Sequence, residues 1–162
     1  MRKKLILDTT VCIDLHNGDL LERATGLPYE LALPDVVVAE LIKPPGELLL
    51  QIGFSLLHLG EEAIEQLVAI RAQYPKPSTN DLFALLLARM YSCVLVTGDD
   101  DLRKAAKDEG IEVHGLLWLL DLTVDHGILS PLQAADSLEL ILAAGSWLPR
   151  KECDARFRRW RR

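Results

Sequence analysis

The sequence predicts an α/β fold around a parallel sheet, with a helical extension packed on it. Three observations lead there. Short, wholly apolar runs, such as Leu5-Ile6-Leu7 and Val94-Leu95-Val96, alternate with segments of helical periodicity. A run that is apolar on both sides suits a strand buried on both faces, as parallel sheets require. Beyond Gly115 the pattern is helical only. The expected organisation is therefore a core over 1–115 and a helical extension over 116–162 within the same domain.

Residues 4–8 read as the first buried strand. Residues 11–17 look helical and end at Asn17-Gly18, and a short helix follows over 20–24. Pro34-Asp35 opens a helix through Ile42 that Pro44-Pro45-Gly46 stops, although Val36, Val37 and Val38 fit a strand equally well. Residues 54–59 read as a strand. Residues 61–73 read as an amphipathic helix with Ile64, Leu67 and Val68 inward and Glu61, Glu65 and Arg71 outward. Residues 79–90 are apolar almost all round and predict a buried helix. A strand at 93–97, a helix at 101–108 closed by Gly110, and a strand at 111–113 complete the core. The extension reads as helices over 116–125, 130–144 and 150–160. Ser130-Pro131 supplies an N-cap followed by proline at the first helical position.

Composition bounds the function. The chain has 162 residues, 49% hydrophobic and 26% charged, which suits one domain with a substantial core. No apolar run approaches the roughly 20 residues of a membrane span, and the basic start is followed by too short an apolar stretch for a signal peptide. Cys12, Cys93 and Cys153 are odd in number and widely spaced, so no disulfide framework is expected and a cytoplasmic location is. The four histidines are equally scattered, which disfavours zinc. Residues 150–162 hold seven basic residues against Glu152 and Asp154, a net +5, so the remainder carries −11 of the total −6. Arg156, Arg158, Arg159 and Arg161 are candidate contacts to RNA or a partner; a solvated terminal helix is the equal alternative.

Four acids interrupt or bound apolar segments: Asp8, Glu40, Asp81 and Asp99. An unpaired carboxylate beside a core costs several kcal/mol unless compensated. Each has an ordinary explanation. Asp8 caps the next helix, Asp81 closes a capping box with Ser78, Asp99 belongs to a turn, and Glu40 reaches solvent. Glu40 has the weakest of these explanations. Together, with no embedded Lys or Arg in the same segments, the four point to a shared divalent cation, Mg²⁺ or Mn²⁺, which prefer hard oxygen ligands. In an open α/β sheet the ligand site lies beyond the carboxyl ends of the strands, where strand order reverses. Asp8 and Asp99 both follow strands, which puts them on one rim. Thr9 and Thr97 are supporting candidates whose hydroxyls can position water or phosphate; Thr97 is equally a β-branched strand residue.

The stretches Leu5-Ile6-Leu7-Asp8-Thr9-Thr10, Val36-Val37-Val38-Ala39-Glu40-Leu41, Asn80-Asp81 and Val96-Thr97-Gly98-Asp99-Asp100-Asp101-Leu102, in that order, resemble the PIN-domain ribonucleases over residues 4–115. The resemblance implies a three-layer α/β/α fold with a parallel sheet in the order 3-2-1-4-5. It implies an acidic metal-binding quartet of Asp8, Glu40, Asp81 and Asp99, with Asp101 as a frequent fifth acid. The metal ligands implied are Asp8, Asp81, Asp99 and Asp101. The activity implied is metal-dependent endoribonucleolytic cleavage of RNA. The helical extension looks like that of a longer prokaryotic subgroup. Many family members of this size are toxins of VapBC-type toxin–antitoxin pairs, which implies a small antitoxin partner, and a homodimer is common. The extension departs from the compact toxins.

Two other classes compete. A haloacid-dehalogenase-like phosphatase also places an Asp after its first strand, but needs a second Asp two residues on, where this chain has Thr10. A non-catalytic PIN-like module that binds RNA or protein need not keep all four acids. A phosphate-binding glycine loop is absent, because Gly98 stands alone before three acids.

Overall fold

A computed structural model describes residues 2–162. The sheet has five parallel strands, β1 (Lys3–Leu7), β2 (Tyr29–Pro34), β3 (Ser55–Leu57), β4 (Val94–Val96) and β5 (Val113–His114), in the spatial order β3-β2-β1-β4-β5. The helices are α1 (Thr9–Asn17), α2 (Leu21–Ala24), α3 (Asp35–Glu40), α4 (Gly46–Gln51), α5 (Ile64–Gln73), α6 (Thr79–Tyr91), α7 (Asp100–Asp108), α8 (Leu116–Asp125), α9 (Pro131–Ala143) and α10 (Arg150–Trp160). This is a three-layer α/β/α domain.

The strand period of two divides the core. Leu5 and Leu7 face one apolar layer with Leu31, Leu33, Val94 and Val96, against α1, α8, α9 and α10. Ile6 faces the other with Ala32 and Leu95, against α6 and α7. Every one of these strand side chains is buried, which explains why the central runs are apolar throughout. Helices α8, α9 and α10 complete the first layer through Leu119, Leu138, Ile141 and Trp160, the last only 3% exposed. The three cysteines are free and buried, Cys93 among the core of the second layer. No helix among the described residues is long and apolar enough to cross a membrane.

Several expectations need correction. Strand β2 has no counterpart in the sequence reading. Its sequence, Tyr-Glu-Leu-Ala-Leu-Pro, lacks β-branched residues and is bounded by prolines, so local propensity argues against a strand. Pairing with β1 on one side and β3 on the other overrides that propensity. The valines at 36–38 are helical, but α3 ends at Glu40 rather than Ile42. Pro45 and Gly46 do not simply stop a helix: Pro45 sits at the N-cap of α4. The strand expected over 54–59 is paired only at Ser55–Leu57, and the last strand is shifted to Val113–His114.

Helix α5 also packs differently from its expected face. Ile64 and Val68 are 58% and 67% exposed, whereas Ile70 is buried and Leu67 half-buried. Arg71, expected outward, is half-buried and donates to the carbonyls of Pro75 and Pro77, closing the α5–α6 connection. The inward stripe is set by where α6 lies, not by the apolar count on the isolated helix.

Gly46 shows how tightly α3 and α4 meet. A Cβ there would stand 2.8 Å from the Cα and carbonyl carbon of Val38, both backbone atoms that cannot rotate away. Gly46→Ala is therefore expected to force the two helices apart and destabilise the protein by about 1–3 kcal/mol. That corresponds to a melting temperature roughly 2–12 °C lower. Glu40 lies two residues beyond Val38, so the same variant should lose activity faster than stability. Thermal melting beside an activity assay checks both.

Candidate metal centre

The chain crosses the sheet so that β1 lies between β2 and β4. The connection leaving β1 runs to β2 on one side, and the chain later returns to β4 on the other, so strand order reverses at β1. The crevice at the carboxyl ends of β1 and β4 is the expected ligand position for such a sheet. Asp8 directly follows β1 and caps α1, its Oδ1 accepting from the Val11 N–H at 2.9 Å. Asp99 follows β4 and caps α7, its Oδ1 accepting from the Leu102 N–H at 2.8 Å. The capping explanation is thus fulfilled for both, yet each carboxylate keeps its second oxygen for other partners.

Thr97 joins the two. It is fully buried; its hydroxyl donates to Asp8 Oδ2 and accepts from the Asp99 N–H at 3.1 Å. Glu40 ends α3 and is exposed, but it is steered inward: the Thr9 hydroxyl donates to its Oε2 at 2.6 Å and the Asn80 amide at 3.3 Å. Asp81 lies in the first turn of α6 beside Asn80. Its carboxylate accepts from the Ser78 N–H while the Ser78 hydroxyl accepts from the Asp81 N–H, a complete capping box. The structure therefore brings Asp8, Glu40, Asp81 and Asp99 to one rim, with Thr9 and Thr97 between them. Asp101 is half-buried in the first turn of α7, and no hydrogen bond ties it to the quartet among the described residues.

Electrostatics records the crowding. Burial pushes the Asp8 carboxyl up to about 6; the hydrogen bonds from Thr97 and Val11 oppose this, and the charges of Asp81 and Asp99 add to it. Asp81 is raised as well, first by burial and then by Asp99 and Glu40, against the Ser78 hydrogen bonds. Among the described residues, none of the four acids is ion-paired to Lys, Arg or His.

Whether this donor set fits a divalent cation can be tested on its chemistry. No three acid, His or Cys side chains among the described residues already form a ready-made coordination shell. Mg²⁺ does not require one, since it keeps several waters and binds through one or two carboxylates. Four hard oxygen donors, two of them with raised pKa and all without a counter-ion, fit such an ion.

Asn80 enters the sequence reading only as part of a motif. Its role in steering Glu40 depends on α3 and α6 meeting, which no local pattern announces. Asp14 carries no sequence signal at all: it is buried on α1, its carboxyl raised by burial against a hydrogen bond from Ser146. The basic segment behaves differently from a free arm. Arg156 forms a two-pronged pair with Asp121 at 3.1 and 2.7 Å, Arg159 joins the same carboxylate at 2.8 Å, and Arg161 pairs with Glu139 at 2.8 Å. Arg158 is exposed. Trp160 and half-buried Phe157 seat α10 on the body.

A parallel 3-2-1-4-5 sheet carrying an acidic rim at its switch point defines a class of three-layer α/β domain with its carboxylates gathered at the ends of the central strands. A family model described as a PIN domain matches residues 4–162, and the chain belongs to that family. Proteins of the family are in general nucleases and typically use divalent metals. Two solved structures share the fold. One is a PilT N-terminus domain protein from the hyperthermophilic archaeon Sulfolobus solfataricus, 16% identical over 76% of this chain and 95% of that one, with a TM-score of 0.55. The other is PAE2754 from Pyrobaculum aerophilum, 14% identical over 75% of this chain and 90% of that one, with a TM-score of 0.57. No curated protein matches the chain.

Proposed function

We propose that this protein is a metal-dependent endoribonuclease. The observation that carries the reading is the meeting of four carboxylates, from four separate segments, at the switch point of the sheet with no protein cation paired to them. Asp8, Asp81 and Asp99 would hold Mg²⁺ or Mn²⁺, with Asp101, in the first turn of α7, as a further candidate ligand. Such an ion supplies positive charge to the phosphate and lowers the pKa of a bound water. Without it, the rim would repel RNA.

Glu40 has a different task. Thr9 and Asn80 both donate to its Oε2, which fixes the carboxylate plane and leaves Oε1 free. It is exposed rather than buried, so it can accept the proton of an attacking water as the phosphodiester bond opens. Thr97 holds Asp8 and the Asp99 backbone in register, so the two strand-end acids cannot drift apart.

The finer reading is a toxin of a toxin–antitoxin pair. Ile64 and Val68, four residues apart on one side of α5, are largely exposed and suit burial under a small antitoxin. A small reading frame beside this one, whose product co-purifies and suppresses cleavage, is the expected finding for that role.

Incubation of the protein with labelled single-stranded RNA should give internal cleavage with Mn²⁺ or Mg²⁺ and none with EDTA. RNA binding without cleavage under every metal would instead make the chain a non-catalytic binding module.

A further inference from the structure

A groove of about 570 Å³ opens directly beside the acidic rim, bounded by Thr10, Asp99, Arg103, Trp118, Trp147 and Glu152. Its size falls within the range of pockets that hold small molecules or single nucleotides. We propose that it is a nucleotide subsite, in which Trp147 stacks on the base and Arg103 meets the phosphate of the residue flanking the scissile bond. The proposal rests on the ribonuclease reading.

Trp147 is 86% exposed, an unusual state for the largest apolar side chain. It lies between α9 and α10, just after Gly145, whose φ of +99° turns the chain out of α9. Both flanking helices are anchored in the core, through Ile141 and through Cys153 and Trp160. The indole is thus presented on a short turn with fixed ends. The other tryptophan of the groove is already engaged: Trp118 stacks on His114 with centroids 4.0 Å apart and planes 6° from parallel. Trp147 has no such ring partner among the described residues.

The charges divide the same way. Arg156 is held by Asp121, and His114 lies against Glu112. Arg103 is half-buried on α7, one turn beyond Asp99, with a guanidinium nitrogen 3.2 Å from where a Cβ on Gly115 would lie. It makes no ion pair among the described residues. An unengaged guanidinium adjoining an acidic rim is placed to receive a phosphate that the rim itself would repel. An exposed aromatic face next to it suits an unstacked base of single-stranded RNA. The groove's continuity with Asp99 and Thr10 favours the RNA being cleaved over a protein partner.

The test is binding of a fluorescein-labelled, mixed-sequence single-stranded RNA, with Ca²⁺ in place of Mn²⁺ to limit cleavage. Trp147→Ala should weaken binding about 5- to 100-fold, and Trp147→Phe should restore most of it. Arg103→Gln should reduce the salt dependence of binding by about 0.7 in the log–log slope, one phosphate's worth. The melting temperature of Trp147→Ala should stay close to wild type, because the side chain is exposed. Equal RNA affinity in wild type and Trp147→Ala overturns the proposal and leaves the groove to another ligand, as does absence of RNA binding by the wild type. Trp147-dependent binding without cleavage in Mn²⁺ or Mg²⁺ would sink the nuclease reading while keeping the subsite. Cleavage that Trp147→Ala leaves unchanged in both KM and Kd would do the reverse.

Discussion

Asp99→Asn is expected to lower RNA cleavage about 10²- to 10⁴-fold while leaving the protein folded. The magnitude corresponds to several kcal/mol of charge stabilisation at the reacting phosphate. Folding should survive because Asn accepts from the Leu102 N–H almost as well as Asp and preserves the cap of α7. The substitution also removes a negative charge that raises the carboxyls of Asp8 and Asp81, so the metal-free variant should melt at or above the wild type. A cation that binds only the folded chain stabilises it by about 2.7 kcal/mol at roughly 100 times its dissociation constant. The variant should gain visibly less from Mn²⁺. A melting series with and without Mn²⁺, beside cleavage assays, measures both effects. Full activity, or an identical metal-induced shift, would remove Asp99 from the centre.

Asp8→Asn is expected to reshape the pH dependence of stability in the absence of metal. The Asp8 carboxyl stands at about 6 in the folded protein against an ordinary 3.8. Below about pH 3 it is protonated in both states, and its burial then costs little. As pH rises toward 6 the unfolded chain releases this proton first, so stability is lost through that window and the loss is complete above it. The whole loss is about 3 kcal/mol. The substituted amide carries no such proton, still accepts from the Val11 N–H, and can offer its own N–H to the Thr97 hydroxyl. In EDTA the stability difference, variant minus wild type, should therefore grow by about 2.5 kcal/mol between pH 4 and pH 7.5, roughly 5–10 °C in melting temperature. Parallel curves over that range would show that Asp8 titrates normally. Activity should fall in this variant too, so that stability and function move in opposite directions.

Much of this protein is determined by its sequence alone. The apolar runs at Leu5-Ile6-Leu7 and Val94-Leu95-Val96 can only be buried on both sides, which requires a sheet covered by helices on both faces. Ser78 with Asp81, and Ser130 followed by Pro131, mark helix starts by chemistry that acts within four residues, and both caps form, the second completed by Gln133. Embedding Asp8, Glu40, Asp81 and Asp99 in apolar segments marks them as exceptional because uncompensated charge is costly wherever it lies. What the tertiary structure decided concerns contacts between distant segments. Strand β2 exists because two neighbours pair with it, although its own residues prefer otherwise. The face of α5 was settled by the position of α6, and the α10 arginines by Asp121 and Glu139. Asn80 reaches Glu40 across 40 residues of chain, and Thr97 reaches Asp8 across 89. Helix periodicity, caps and turns are short-range and legible in one dimension. Strand pairing, the choice of buried face and the partner of a long charged side chain depend on which surfaces meet, and that is set only when the chain closes on itself.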